Sequence, residues 1–220
     1  MSSELRRVER DLLSRRPEHA IVPTLDRIAA LATLLGDPQR AYPVIHVTGT
    51  NGKTSAARMA ETLLRARGLR TGLYTSPHLS SLRERISIDG EPLSPADFVA
   101  AYEDVAPYAA MVDGQQAVRL SFFEMLTAMA FAAFADAPVD VAVIEVGLGG
   151  TWDATNIADG QVAVVTPKSV PSVRTGTDTS AARRASARAA ASGCTASTAT
   201  APGLMIPAFS VAMASTVPPR

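Results

Sequence analysis

A chain of 220 residues with 47% apolar side chains can build one sizeable core or two small ones, which excludes fibrous architectures. Lys plus Arg balances Asp plus Glu at 21 each, so no net field argues for nucleic acid or an anionic membrane as partner, and recognition must rest on local sites. The single cysteine, Cys194, excludes an intrachain disulfide, residues 1–10 carry no signal-peptide pattern, and the longest apolar run (125–135) is far short of the roughly 20 residues a membrane span needs, so the sequence predicts a soluble cytoplasmic monomer.

In chain order, Leu5, Val8, Leu12 and Leu13 recur at helical spacing. Leu25, Ile28, Leu31, Leu34 and Leu35 repeat the pattern, with Thr24 placed as N-cap and Gly36 as the C-terminal stop. A strand is predicted over 44–48, a helix over 54–67 closed by Gly68, and a second strand over 71–75. Residues 85–88 alternate polar and apolar before Asp89-Gly90, which predicts a half-exposed strand of a small hairpin. Ser94-Pro95 opens a helix toward Tyr108, and Ser121 opens another that runs to about Ala135. Residues 139–146 are almost continuously apolar and β-branched, as in a central parallel strand covered on both faces, and 162–166 repeat the type. Strands alternating with long helices predict an α/β fold with a mostly parallel, doubly wound sheet and ligands at the carboxyl ends of its strands.

Gly49-Thr50-Asn51-Gly52-Lys53-Thr54 lies between a predicted strand and helix. Such a turn aims backbone N–H groups and the positive end of the helix dipole at one point, where phosphate oxygens are held. Gly49 and Gly52 permit close backbone approach, Lys53 can reach the β- and γ-phosphates of ATP, and the Thr54 hydroxyl is placed to ligate Mg²⁺. The first glycine of the full pattern would be residue 47, which is Val47; the alternative is a plain strand-to-helix turn with an exposed lysine. Glu145 ends the apolar run of 141–146, where a lone carboxylate is costly unless it meets a cation. It is either a metal ligand facing the phosphate loop or one half of a core salt bridge. Ser121 and Glu124 have the spacing of a capping box, Ser76-Pro77 that of a turn, and 153–156 could be a simple turn as well. His46 reads as structural, and His19 has no informative context.

Taken together, Gly49-Thr50-Asn51-Gly52-Lys53, Thr75-Ser76-Pro77-His78-Leu79, Glu84-Arg85-Ile86, Ser121-Phe122-Phe123-Glu124 and Glu145-Val146-Gly147-Leu148-Gly149-Gly150 with Asp153-Ala154-Thr155-Asn156 resemble, in order and spacing, the folylpolyglutamate synthases, often bifunctional with dihydrofolate synthase activity, of the Mur ligase superfamily. The resemblance spans about Leu5 to Pro167, and the family's phosphate loop tolerates a residue other than glycine at position 47. It implies ATP on Thr50 to Lys53, Mg²⁺ on Ser76 and Glu145, and catalytic roles for Lys53 and Glu145. The loop from Ser76 through Pro77 and His78 to Arg85 would close over a pterin, and Ser121, Phe122, Phe123, Glu124, Trp152, Asp153 and Ala154 would line a pteroate pocket. The implied substrates are dihydropteroate or a folate with L-glutamate, joined through an acyl phosphate. Thr151 departs from the pattern, which usually has a basic residue there.

From Lys168 to Arg220 roughly half the residues are Ala, Ser or Thr, Asp178 is the one acid, and no period is sustained. The family's Asp-His pair and carbamylated lysine have no counterparts there, since residues 169–220 contain neither histidine nor lysine. The expectation is an incomplete Mur ligase-like ATP-binding domain over 1–167, followed by a tail over 168–220 that is either disordered or read out of frame. Such a tail would hardly finish the sheet and would leave the chain without turnover.

Overall fold

In the computed structural model the described residues are 3–20, 22–167 and 210–213. The expectation for 168–220 therefore lies outside them apart from one strand. α1 (Ser3–Ser14) buries Leu5, Val8 and Leu12 as the spacing predicts. α2 (Asp26–Leu34) starts later than expected: Thr24 Oγ1 accepts from the Asp26 N–H at 3.0 Å, but Leu25 occupies the cap position.

The sheet contains β1 (Val44–Thr48), β2 (Thr71–Tyr74), β3 (Ile86–Ile88), β4 (Glu91–Pro92), β5 (Val141–Glu145), β6 (Gly160–Val165) and β7 (Ser210–Met213), in the order β4-β3-β2-β5-β1-β6-β7. The four central strands β2, β5, β1 and β6 run parallel; β3, β4 and β7 pair antiparallel at the edges. This is the mostly parallel α/β sheet that the alternation of elements predicts. β7 was not expected. Ser210 to Met213 satisfy the outer edge of β6, a strand half-exposed from 162 to 165 with hydrogen-bonding groups otherwise unpaired on that side.

Helices cover both faces. α3 (Lys53–Ala66) packs Ala56 and Ala57 on Val47, Leu73 and Val143. α4 (Pro95–Gln115) and α5 (Phe122–Asp136), with α1 and α2, form the larger core on the opposite face. α4 is longer than its sequence signal. Pro107 lies inside it, yet Val105, Ala109 and Val112 are all buried, so packing carries the helix past a residue that favours a break. Ser94 and Ser121 cap α4 and α5 as predicted, and the Ser121–Glu124 capping box is complete. Arg85, expected in a half-exposed strand, instead ends a 3₁₀ turn (Leu82–Arg85) and is buried; β3 begins after it and is mostly buried too.

Candidate active site

β1 runs into the glycine-rich turn, and α3 starts directly after it with Gly52 at its cap in a left-handed conformation (φ +75°). Gly49 is held at φ +137°, where a Cβ would lie 2.1 Å from Thr166 Oγ1 and 2.6 Å from the Thr166 carbonyl oxygen. Only glycine fits this crossing. The Asn51 N–H donates to the Pro167 carbonyl at 3.3 Å, so the chain after β6 braces the turn that follows β1.

β5 lies beside β1 with Val47 opposite Glu145, which brings that carboxylate to the mouth of the turn. Glu145 is 1% exposed. Its oxygens accept from the Thr54 hydroxyl at 2.9 and 3.0 Å and from the Ser76 N–H at 3.3 Å. Burial holds its pKa above the usual carboxylate range, against the opposing pull of those hydrogen bonds and the charges of Lys53 and Arg58. No lysine or arginine among the described residues forms an ion pair with it, so the core salt bridge is not what is built. A buried carboxylate without an ion-pair partner among the described residues, together with a hydroxyl, forms a donor set suited to a hard divalent ion. No group of three His, Cys, Asp or Glu gathers among the described residues.

Next to the turn lies a cavity of about 320 Å³, within the range of small-molecule sites. Lys53, Ser76 and Pro77 line it. Ser121, Phe123 and Glu124 at the start of α5 form one wall, and Gly147 to Gly149 with Trp152, Asp153 and Ala154 form another. The Ser76–Pro77 peptide is cis. Sequence reasoning missed the third wall, Arg16 to Glu18 with Ala20, Val22, Thr24 and Arg27. No local motif marks this segment, which reaches the cavity because α1 and α2 pack against α4 and α5.

Of the expected site residues, His78, Arg85 and Phe122 are not among those lining the cavity. Arg85 donates from Nε to His78 Nδ1 at 3.0 Å, pairs with Glu18, and lies 5.1 Å from the centroid of the Phe122 ring. Burial and the Arg85 charge lower the pKa of His78, consistent with a neutral ring accepting at Nδ1. Glu84, with its pKa lowered by N–H donors from Leu79, Ser81 and Ser80, ties this loop together.

Arg27 and Glu124 form a buried pair at 3.1 Å, with side chains 5% and 7% exposed. Breaking such a pair strands the remaining charge. Arg27→Met is expected to cost about 3 kcal/mol, measured as a lower urea midpoint with unchanged slope.

The geometry defines a class: an α/β domain with a P-loop type of turn between β1 and α3 and a small-molecule-sized cavity beside it. No family model matches the chain. Its relatives are informative. The dihydrofolate synthase/folylpolyglutamate synthase of Mycobacterium tuberculosis is 57% identical over 178 residues, covering 78% of this chain and 37% of that protein. The solved folylpolyglutamate synthase of the same organism, complexed with ADP, superposes with a TM-score of 0.74 at 55% identity, over 85% of this chain and 41% of that one. A folylpolyglutamate synthase complex with AMPPCP and folate superposes with a TM-score of 0.70 at 38% identity, over 79% and 43%. The chain belongs to the folylpolyglutamate synthase and dihydrofolate synthase family, of which it matches the N-terminal part. It spans less than half the length of these relatives.

Proposed function

We propose that this chain carries the ATP-binding and acceptor-binding part of a ligase that adds L-glutamate to dihydropteroate or a folate. One observation carries the reading: Lys53 of the phosphate loop and Ser76, whose N–H reaches Glu145, both line the cavity, so an acceptor carboxylate seated beside them would meet the γ-phosphate of a nucleotide on Gly49 to Thr54. Thr54, Ser76 and Glu145 would hold Mg²⁺, which when bound neutralises phosphate charge. Lys53 and the N-terminus of α3 supply further positive charge to the phosphates. The acceptor carboxylate oxygen attacks the γ-phosphorus, ADP leaves, and an acyl phosphate forms. The glutamate amine nitrogen, having lost a proton, then attacks the acyl carbon; phosphate departs and an amide remains. Positioning dominates this chemistry, and the three cavity walls provide it.

The ADP, AMPPCP and folate in the relatives' structures support the two ligand classes. Among the described residues no helix is long and apolar enough to cross a membrane. The proposal takes the protein as a cytoplasmic monomer, with 1–167 as the ATP-binding domain and 168–220 as a tract that departs from the family pattern. The DNA sequence after the Pro167 codon tests the frame of that tract.

Trp152 is the single tryptophan and is 56% exposed at the cavity rim. Dihydropteroate is expected to quench its fluorescence saturably, and a UDP-linked cell-wall peptide is expected to leave it unchanged. Quenching by the peptide alone would assign the cavity to another Mur-type ligase.

A further inference from the structure

His46, on the α5-facing side of β1, has no part in the chemistry above, yet it anchors a chain of hydrogen bonds that ends in the cavity wall. Its Nε2 lies 2.8 Å from Thr155 Oγ1. The Thr155 hydroxyl donates to Asp153 Oδ1 at 2.6 Å, and the Thr155 N–H donates to the same oxygen at 3.1 Å. The other carboxylate oxygen, Oδ2, accepts from the Gly149 N–H at 3.1 Å. Thr155 is fully buried and Asp153 is 6% exposed.

The direction of the chain follows from counting protons. A carboxylate offers only acceptors, so the one hydroxyl proton of Thr155 is committed to Asp153. The contact with His46 must then be donated by the ring, which makes His46 the Nε2–H tautomer. Burial lowers its pKa while the nearby Asp153 carboxylate raises it. Three donors thus converge on one carboxylate: the Thr155 N–H, the Gly149 N–H, and the Thr155 hydroxyl that His46 orients. The same loop is tied from its other end by Asn156 Nδ2, which donates to the carbonyls of Gly150 at 2.7 Å and Thr151 at 3.2 Å. Gly149 and Gly150 sit at φ +79° and +83°, so side-chain packing contributes little to the shape of this loop and its hydrogen bonds must set it.

We propose that His46 is a positioning residue, which through Thr155 and Asp153 holds the 147–153 wall of the acceptor cavity in register with the phosphate loop that begins three residues after it. This deepens the reading above and rests on it for the identity of the ligand. β1 then serves two sites at once: its end feeds the nucleotide turn, and its His46 sets the wall that orients the acceptor.

The test uses the full chain with three probes: hydrogen exchange at the Gly149 amide, dihydropteroate titration followed at Trp152, and the thermal shift produced by Mg-ATP. His46→Phe keeps a ring and removes the donor; His46→Gln keeps an N–H near the Nε2 position. His46→Phe is expected to speed Gly149 exchange and weaken dihydropteroate binding by about tenfold each, with the Mg-ATP shift unchanged and His46→Gln restoring most of both losses. If His46→Phe fails to fold, Thr155→Val breaks the same chain one link on, with Thr155→Ser as its restoring partner. Unchanged Gly149 exchange in the donor-less variant overturns the proposal, as does a uniform loss of both ligands that the conservative variant fails to restore. If the wild type does not bind dihydropteroate, the functional reading fails, while Gly149 exchange still decides the role of His46.

Discussion

Glu145→Gln is expected to raise the melting temperature of the ligand-free protein at neutral pH and to remove most of the stabilisation that Mg-ATP provides. Burial lifts the Glu145 pKa above its ordinary value, so the folded state holds that proton more tightly than the unfolded chain does. The sign follows: Glu145 contributes most to stability below the ordinary carboxylate pKa, and that contribution falls away as pH rises through the elevated folded value. As pH rises through that folded value the carboxylate must ionise in a buried setting, where the hydrogen bonds from Thr54 and Ser76 and the charges of Lys53 and Arg58 offset the cost of burial only in part. Glutamine keeps the shape and removes the charge, so the stability gap between variant and wild type should widen from acidic to neutral pH. The ligand-bound state behaves oppositely. A ligand at one hundred times its Kd stabilises by about 2.7 kcal/mol, or roughly 5–10 °C for a chain of this size, and loss of the carboxylate proposed to hold magnesium should abolish most of that increment. Melting curves from pH 4 to 8, with and without Mg-ATP, read both effects. A Gln variant that is less stable without ligand, yet keeps the full nucleotide shift, would mean that Glu145 is a structural acid and not a metal ligand.

Gly49→Ala should have the larger effect on the fold. The added Cβ would meet Thr166 Oγ1 and the Thr166 carbonyl at distances that no real contact tolerates, in a φ region hostile to L-residues. The carbonyl is backbone and cannot step aside: Thr166 is buried and its N–H donates to the Thr48 carbonyl at 2.8 Å. Strain and overpacking together should cost roughly 3–5 kcal/mol and remove the Mg-ATP thermal shift. Gly52→Ala is the control. It shares the left-handed backbone but faces open space, so its stability cost should stay near ~1–2 kcal/mol. Equal losses at the two glycines would show that backbone conformation alone, and not the crossing with Thr166, constrains the turn.

Much of this was legible before any coordinates. The phosphate loop between strand and helix, the buried run ending in Glu145, and the caps at Ser94 and Ser121 are local signals, each written in consecutive residues. The capping box and the cavity wall, which sequence reasoning left as alternatives for Ser121 and Glu124, both hold: the two residues cap α5 and line the cavity. Glu145 was open between metal ligand and salt bridge, and only the arrangement of neighbouring strands could show that no lysine or arginine among the described residues forms an ion pair with it. Arg85 and His78, expected from the resemblance as ligand contacts, are not among the residues lining the cavity; the Arg85 guanidinium instead meets Glu18, His78 and the Phe122 ring.

By itself, the sequence determined the class of fold, the nucleotide loop and the family it resembles, because those depend on periodicity and on short motifs whose residues are neighbours in the chain. The tertiary structure alone decided the wall built from Arg16 to Glu18, Ala20, Val22, Thr24 and Arg27, the bracing of Gly49 by Thr166, the pairing of β7 with β6, and the link from His46 to Asp153. Each of these joins segments far apart in sequence, and their contacts depend on strand order and helix packing, which no local pattern encodes.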